Sequence, residues 1–347
     1  MSHRLHWAAL AIPLALAGVA AGILLTDGGD GADRGTAART ARWIALPSSP
    51  LERTEVGGAR VGRFIYVVGG ATAFPQPTAQ VARYDIQSGS WAVVAPMPLA
   101  VHHPAVTAGA GKCRGDVYVY GGHTASGETD VMQRYDPAGD SWATLPASGA
   151  PRAAATLAAA RCSLYAIGGA RQGTALPLVQ VYDIPARRWR AGPSLKVARE
   201  HIASVVIGGH VLVLGGRVGG ENFDAVEELD PRAGKWRARP SIPTPRSGFG
   251  AVAIRGWAVV VGGEELTPGG ATIGPVQAFD PSSGRWRKLP GMLTPRHGLG
   301  VVARGSRIFA AEGGPQPGAN YSSTLEMLRV PAALLPKRPR FPQKAPG

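Results

Sequence analysis

The stretch from Arg199 to Arg239, REHIASVVIGGHVLVLGGRVGGENFDAVEELDPRAGKWRAR, holds every signal that recurs along this chain. It reads as four short strands, over Arg199–Ile207, Val211–Leu214, Ala225–Leu229 and Lys235–Arg239. The run Val211-Leu212-Val213-Leu214 does not alternate with polar residues, as expected of a strand covered on both faces. The pair Gly215-Gly216 ends it where a Cβ would obstruct the backbone. Asp230 opens a hairpin and Gly234 supplies its left-handed residue.

Working outward, glycine pairs stand at Gly69, Gly121, Gly168, Gly215, Gly262 and Gly313, at intervals of 52, 47, 47, 47 and 51 residues. Tryptophan recurs at Trp43, Trp91, Trp142, Trp189, Trp236 and Trp286. Asp85, Asp136, Asp183, Asp230 and Asp280 each precede a Trp by six residues. Ten residues beyond each Trp stands Arg53, Val101, Arg152, Arg199, Arg246 or Arg296. A fixed period of this length marks stacked or radial repeats.

The glycine pair, the aromatic–Asp step to Trp and the following Pro-Arg resemble the kelch motif. That resemblance covers residues 41 to about 330. It implies an all-β fold, a six-bladed β-propeller around a central channel. The sixth copy lacks a Trp strand, and the missing strand stands at the other end as Arg42 to Leu46. Pairing it beside Thr324 to Leu328 closes the last blade and removes two open edges.

The remaining sequence bounds where such a propeller works. Residues 7–25 carry no charge, follow Arg4 and precede the acidic, Gly-rich Asp27 to Asp33. This is the pattern of a secretory signal or an uncleaved membrane anchor, so residues 1–25 are a leader and 26–40 a linker. The propeller is then extracytoplasmic, secreted, periplasmic or tethered. Residues 331–347 form a basic, Pro-rich tail that reads as a solvated end. The net charge is +14, of which the tail supplies Lys337, Arg338, Arg340 and Lys344 while residues 1–40 balance. The basic propeller favours anionic partners, and an extracytoplasmic place excludes chromosomal nucleic acid.

Cys113 and Cys162 fall in the turns between first and second strands of neighbouring copies. The turn holding Cys113 is four residues longer than its counterparts and reaches toward its neighbour. An oxidising compartment favours a disulfide here, and two free thiols are the other reading.

Arg53, Arg152, Arg199, Arg246 and Arg296 follow the blade connections, on the face opposite the cysteine turns. With His102, His103, His201, His297 and Glu264 they are the ligand-binding candidates at the channel mouth. Converging guanidinium groups would clamp a carboxylate or phosphate; the bland reading has each Arg satisfying carbonyls inside its own blade junction. His102 and His103, as strand neighbours, should point to opposite faces and share no ion. No metal-ligand spacing, nucleophile elbow or phosphate loop is present, so no cofactor and no metal is expected. Galactose-oxidase-like kelch enzymes need a Cys–Tyr crosslink, and both cysteines here lie on the wrong face. The expected function is a binding module for an anionic glycan or a protein. The alternative is a small-sugar enzyme, since the exported six-bladed architecture is similar to periplasmic sialic-acid mutarotases, with Glu264, Glu200 or His201 transferring protons.

Overall fold

The computed structural model describes residues 41–335, and these form six four-stranded antiparallel sheets arranged about one axis. The innermost strands are Gly57–Val61, Ala105–Ala108, Thr156–Ala160, Ala203–Ile207, Gly250–Ile254 and Gly300–Arg304. Each touches the next, and the last touches the first, so the ring is closed. Closure is made as the sequence predicts. Trp43–Leu46 pairs antiparallel with Leu325–Arg329, in the register Trp43 to Leu328 and Leu46 to Leu325.

The non-alternating second strands are explained by what covers them. Val211 and Val213 pack toward the third blade, while Leu212 and Leu214 pack toward the fifth. All four are completely buried. Each such side chain contributes about 2 kcal/mol of apolar burial, so a charged residue on either face would split two blades apart.

Two six-fold sets of hydrogen bonds tie the blades together. On the outside, each repeat Trp donates its indole N–H to a carbonyl of the preceding blade connection. The pairs are Trp43 to Pro290, Trp91 to Pro47, Trp142 to Ala95, Trp189 to Pro146, Trp236 to Pro193 and Trp286 to Pro240, at 2.7–3.0 Å. The tryptophan recurs because it clasps each blade to the one before it. On the inside runs a hoop of backbone bonds one residue per blade wide. The amides of His103, Ala154, His201, Gly248 and Gly298 donate in turn to the carbonyls of Glu55, His103, Ala154, His201 and Gly248, and Val56 donates to Gly298.

The hoop corrects one expected strand boundary. The reading of Arg199–Ile207 as one strand fails because the strand begins at Ala203, and Glu200 forms only an isolated bridge to Arg217. The cause is His201, which sits in the left-handed region at φ 51°. Every hoop position does the same: Glu55, His103, Ala154, His201, Gly248 and Gly298 all have positive φ. That conformation turns the amide toward the neighbouring blade, and it interrupts the strand as it does so.

Cys113 and Cys162 form a disulfide that bridges the second and third blades. The tail is not solvated from its start. Residues 332–334 make a short 3-10 turn, and Leu335 is buried in the cluster that holds Trp43, Ile254 and Trp257. The leader, the linker and the tail beyond Leu335 lie outside the described residues.

Gly298→Ala should destabilise by more than about 1 kcal/mol, because φ is +57° there and a Cβ would lie 2.6 Å from the Glu55 amide; Ala154→Gly should leave the denaturation midpoint unchanged or raise it. Opening the disulfide, whose loop spans 49 residues, should cost about 4 kcal/mol of chain entropy, measured by urea denaturation of the Cys113→Ser/Cys162→Ser protein.

Candidate functional site

The five repeat arginines do not ring the channel mouth. Arg53, Arg152, Arg199, Arg246 and Arg296 are all 0% exposed, each wedged in its own blade junction. Arg53 spends its donors on Glu312, on the Gly69 and Gln80 carbonyls and on the Val67 carbonyl. Arg199 and Arg246 bond the carbonyl of the first glycine of their glycine pair, Gly215 and Gly262. Arg152, Arg199, Arg246 and Arg296 reach the second residue of the third strand in their own blade, Gln180, Glu227, Gln277 and Glu326. Burial lowers the pKa of Arg246 and Arg296 to about 10, which still leaves both charged at neutral pH. These groups hold irregular backbone in place and are closed to any ligand.

The axis is occupied instead by the hoop residues and the residues before them. Glu55 and His103 meet, Glu55 Oε2 lying 3.2 Å from His103 Nε2. His201 Nδ1 lies 2.6 Å from Glu200 Oε2. Arg217, from the hairpin after its glycine pair, donates Nε to Glu200 at 2.8 Å, Nη1 to Glu264 Oε1 at 2.8 Å and Nη2 to His201 Nε2 at 2.9 Å. His297 Nε2 faces Glu55 Oε1 at 3.5 Å and Glu264 Oε2 at 3.6 Å. Room for these side chains comes from the blades that contribute none. Ala154, Gly248 and Gly298 complete the hoop, and the six hoop residues line a cavity of 80 Å³ at the axis.

The His102–His103 expectation is corrected by the same backbone feature. The two imidazoles converge, with their Nδ1 atoms 2.5 Å apart, because His103 at φ 55° abandons strand alternation. One ring must donate and the other accept. Burial, reinforced by the neighbouring imidazoles, lowers His102 to about 4 and His103 well below the ordinary histidine range. The carboxyls diverge. Burial pushes Glu55 up to about 7. At Glu200 burial opposes the charge, but the hydrogen bond from His201 and the charge of Arg217 hold it at about 2.

Beside the axis, Phe74, Pro75, Gln76, Pro77, His102, His123, Thr124 and Ala125 line a cavity of 370 Å³ between the first two loop hairpins. The Phe74 ring is 48% exposed, and its centroid lies 5.3 Å from that of His102. Beneath the hoop the innermost strands enclose the central channel, 360 Å³ in volume.

Within this framework the Kelch motif family model matches residues 104–148 and 198–243, which span the four strands of the second and of the fourth blade. This is a kelch-repeat propeller. The kelch chain is similar to "Kelch-like protein terF" of Aspergillus terreus, at 34% identity over 119 residues, covering 30% of this chain and 25% of the relative. It is also similar to "Kelch-like protein 35" of Mus musculus, at 35% over 101 residues, 29% of this chain and 17% of the relative. It therefore spans a quarter or less of these curated relatives. The solved structure of YjhT superposes with a TM-score of 0.70 at 16% identity, over 81% of this chain and 95% of that one, and so shares the fold.

Of the sequence candidates, the kelch structure brings His103, His201, His297 and Glu264 to the axis and places His102 in the adjoining cavity. Glu55 and the pairing role of Arg217 were missed by sequence reasoning. The available signal was positional, since Glu55 stands two residues after Arg53 just as His103 stands two after Val101.

A histidine held neutral by burial stabilises the fold only while its unfolded counterpart is also neutral. With a folded pKa of about 4 for His102, against about 6.5 unfolded, stability present above pH 6.5 is lost as pH falls toward 4. The melting temperature should drop across that window, and His102→Gln should flatten the drop.

Proposed function

We propose that this kelch propeller is an extracytoplasmic binding module that takes the end of a glycan on its hairpin face. One observation carries the reading. The cavity of 370 Å³ joins a half-exposed aromatic ring, Phe74, to the imidazoles of His102 and His123, beside a buried polar axis. An exposed aromatic face beside fixed acceptors suits a sugar ring, which presents C–H groups on one side and hydroxyls around its edge.

Charge refines the choice of sugar. The axial cluster holds Glu55, Glu200 and Glu264 against the single guanidinium of Arg217, so it disfavours an acid group and accepts hydroxyls. The net positive charge of residues 41–330 supports an acidic glycan whose anionic groups lie off the axis. Residues 7–25 and the Cys113–Cys162 disulfide support a place outside the cytoplasm.

The test is titration of the purified chain with neutral and uronic-acid oligosaccharides, followed by calorimetry. Acidic oligosaccharides should bind more tightly at low salt and lose affinity as salt rises. Phe74→Ala should weaken binding about tenfold, the worth of one good stacking contact. Absence of heat with every oligosaccharide, at low salt, would end this reading.

A further inference from the structure

Three atoms at the axis face one another with no hydrogen bond between His297 and either carboxyl. His297 is completely buried, and its Nδ1 lies 3.1 Å from the Gly314 carbonyl. That carbonyl can only accept, so Nδ1 carries a proton, and in the neutral ring Nε2 presents a lone pair. His297 Nε2 makes no hydrogen bond. It looks at two carboxyl oxygens, Glu55 Oε1 and Glu264 Oε2, 3.5 and 3.6 Å away.

The nearby donors are already spent. Arg217 gives its groups to Glu200, Glu264 Oε1 and His201. The Gly318 amide donates to Glu264 Oε2, and His103 Nε2 stands against the far oxygen of Glu55. Each inward-facing group is thus held from behind, as outer-shell partners hold the ligands of a metal. Glycines clear the space. A Cβ at Gly298 would lie 2.7 Å from Glu55 Oε1, and one at Gly314 would lie 2.4 Å from His297 Cε1.

The spacing has a chemical meaning. Two bonds of about 2.1 Å meeting at a tetrahedral centre set their donor atoms about 3.4 Å apart. The donor set, one imidazole nitrogen and two carboxylate oxygens, suits a divalent transition ion of zinc type and leaves a fourth position free. The charge points the same way, with three carboxylates in the cluster against one guanidinium. We propose that Glu55, Glu264 and His297 form a divalent-cation site on the propeller axis, with zinc as its simplest occupant. The proposal stands on these three side chains and their partners and is independent of the glycan reading.

The experiment strips the full-length protein with a chelator, dialyses the chelator away, and titrates zinc alone by calorimetry and by thermal melting. One equivalent should bind, and the melting temperature should rise with zinc concentration. His297→Ala and Glu55→Gln, each checked for a cooperative melt, should weaken zinc binding by about 100-fold or more. Cobalt(II) in place of zinc should give the visible absorption of a four-coordinate ion in the wild type and lose it in both variants. Substoichiometric uptake, or uptake that neither variant alters, would overturn the site. So would nitrogen-15 spectra showing His297 protonated on both nitrogens in the presence of excess zinc. Since no sugar enters these measurements, their failure would leave glycan binding standing.

Discussion

The inner hoop of six backbone hydrogen bonds is the constraint from which most of this molecule follows. Each bond joins the amide of one blade to the carbonyl of the one before, at the point where the blades approach most closely. An extended residue there would direct its amide within its own sheet. The left-handed conformation directs it sideways, so the ring exacts an unfavourable backbone angle once in every blade. Where the residue is Gly248 or Gly298 the angle is free of Cβ conflict; at Glu55, His103, Ala154 and His201 it costs of order 1–2 kcal/mol each.

That cost has a chemical return. The same turn that directs the amide sideways brings the side chain over the axis, where no repeat consensus requires anything at all. Three hoop positions place a polar group there and three, Ala154, Gly248 and Gly298, leave space. The outcome is a compact array of Glu55, His103 and His201, joined by Glu264, Arg217 and His297 from the adjoining segments. Buried ionisable groups are unfavourable unless paired, and here nearly every one is. His297 Nε2 is the departure.

The overall architecture was legible in the sequence because it is written six times. The glycine pairs, the Trp spacing and the stranded Trp43 segment fix the number of blades and their closure, and the long turn around Cys113 made the disulfide the favoured of two readings. The channel mouth was less legible. Arg199 was one of five arginines read as candidates for the mouth, yet it lies sealed against Gly215 and Glu227; the repeat of a charged residue signalled an internal wedge, and spacing alone does not say which way a long side chain turns. His102 and His103 were separated by strand logic that His103 does not obey, because a left-handed residue among extended ones leaves no mark in composition when it is not glycine. Glu55 went unnoticed for the same reason.

Closing the last blade with Trp43–Leu46 also sets an order of events. A chain synthesised from its amino end makes this strand before the other described strands and its partner, Leu325–Arg329, after them. Until then the earliest strand has no sheet to join, and the sixth blade is a fragment. Pairing across so great a separation is slow, since the entropy of closing the loop is surrendered before any contact repays it. The ring therefore locks only once the third strand of the sixth blade has been made, and up to that moment its first and sixth blades stay unjoined.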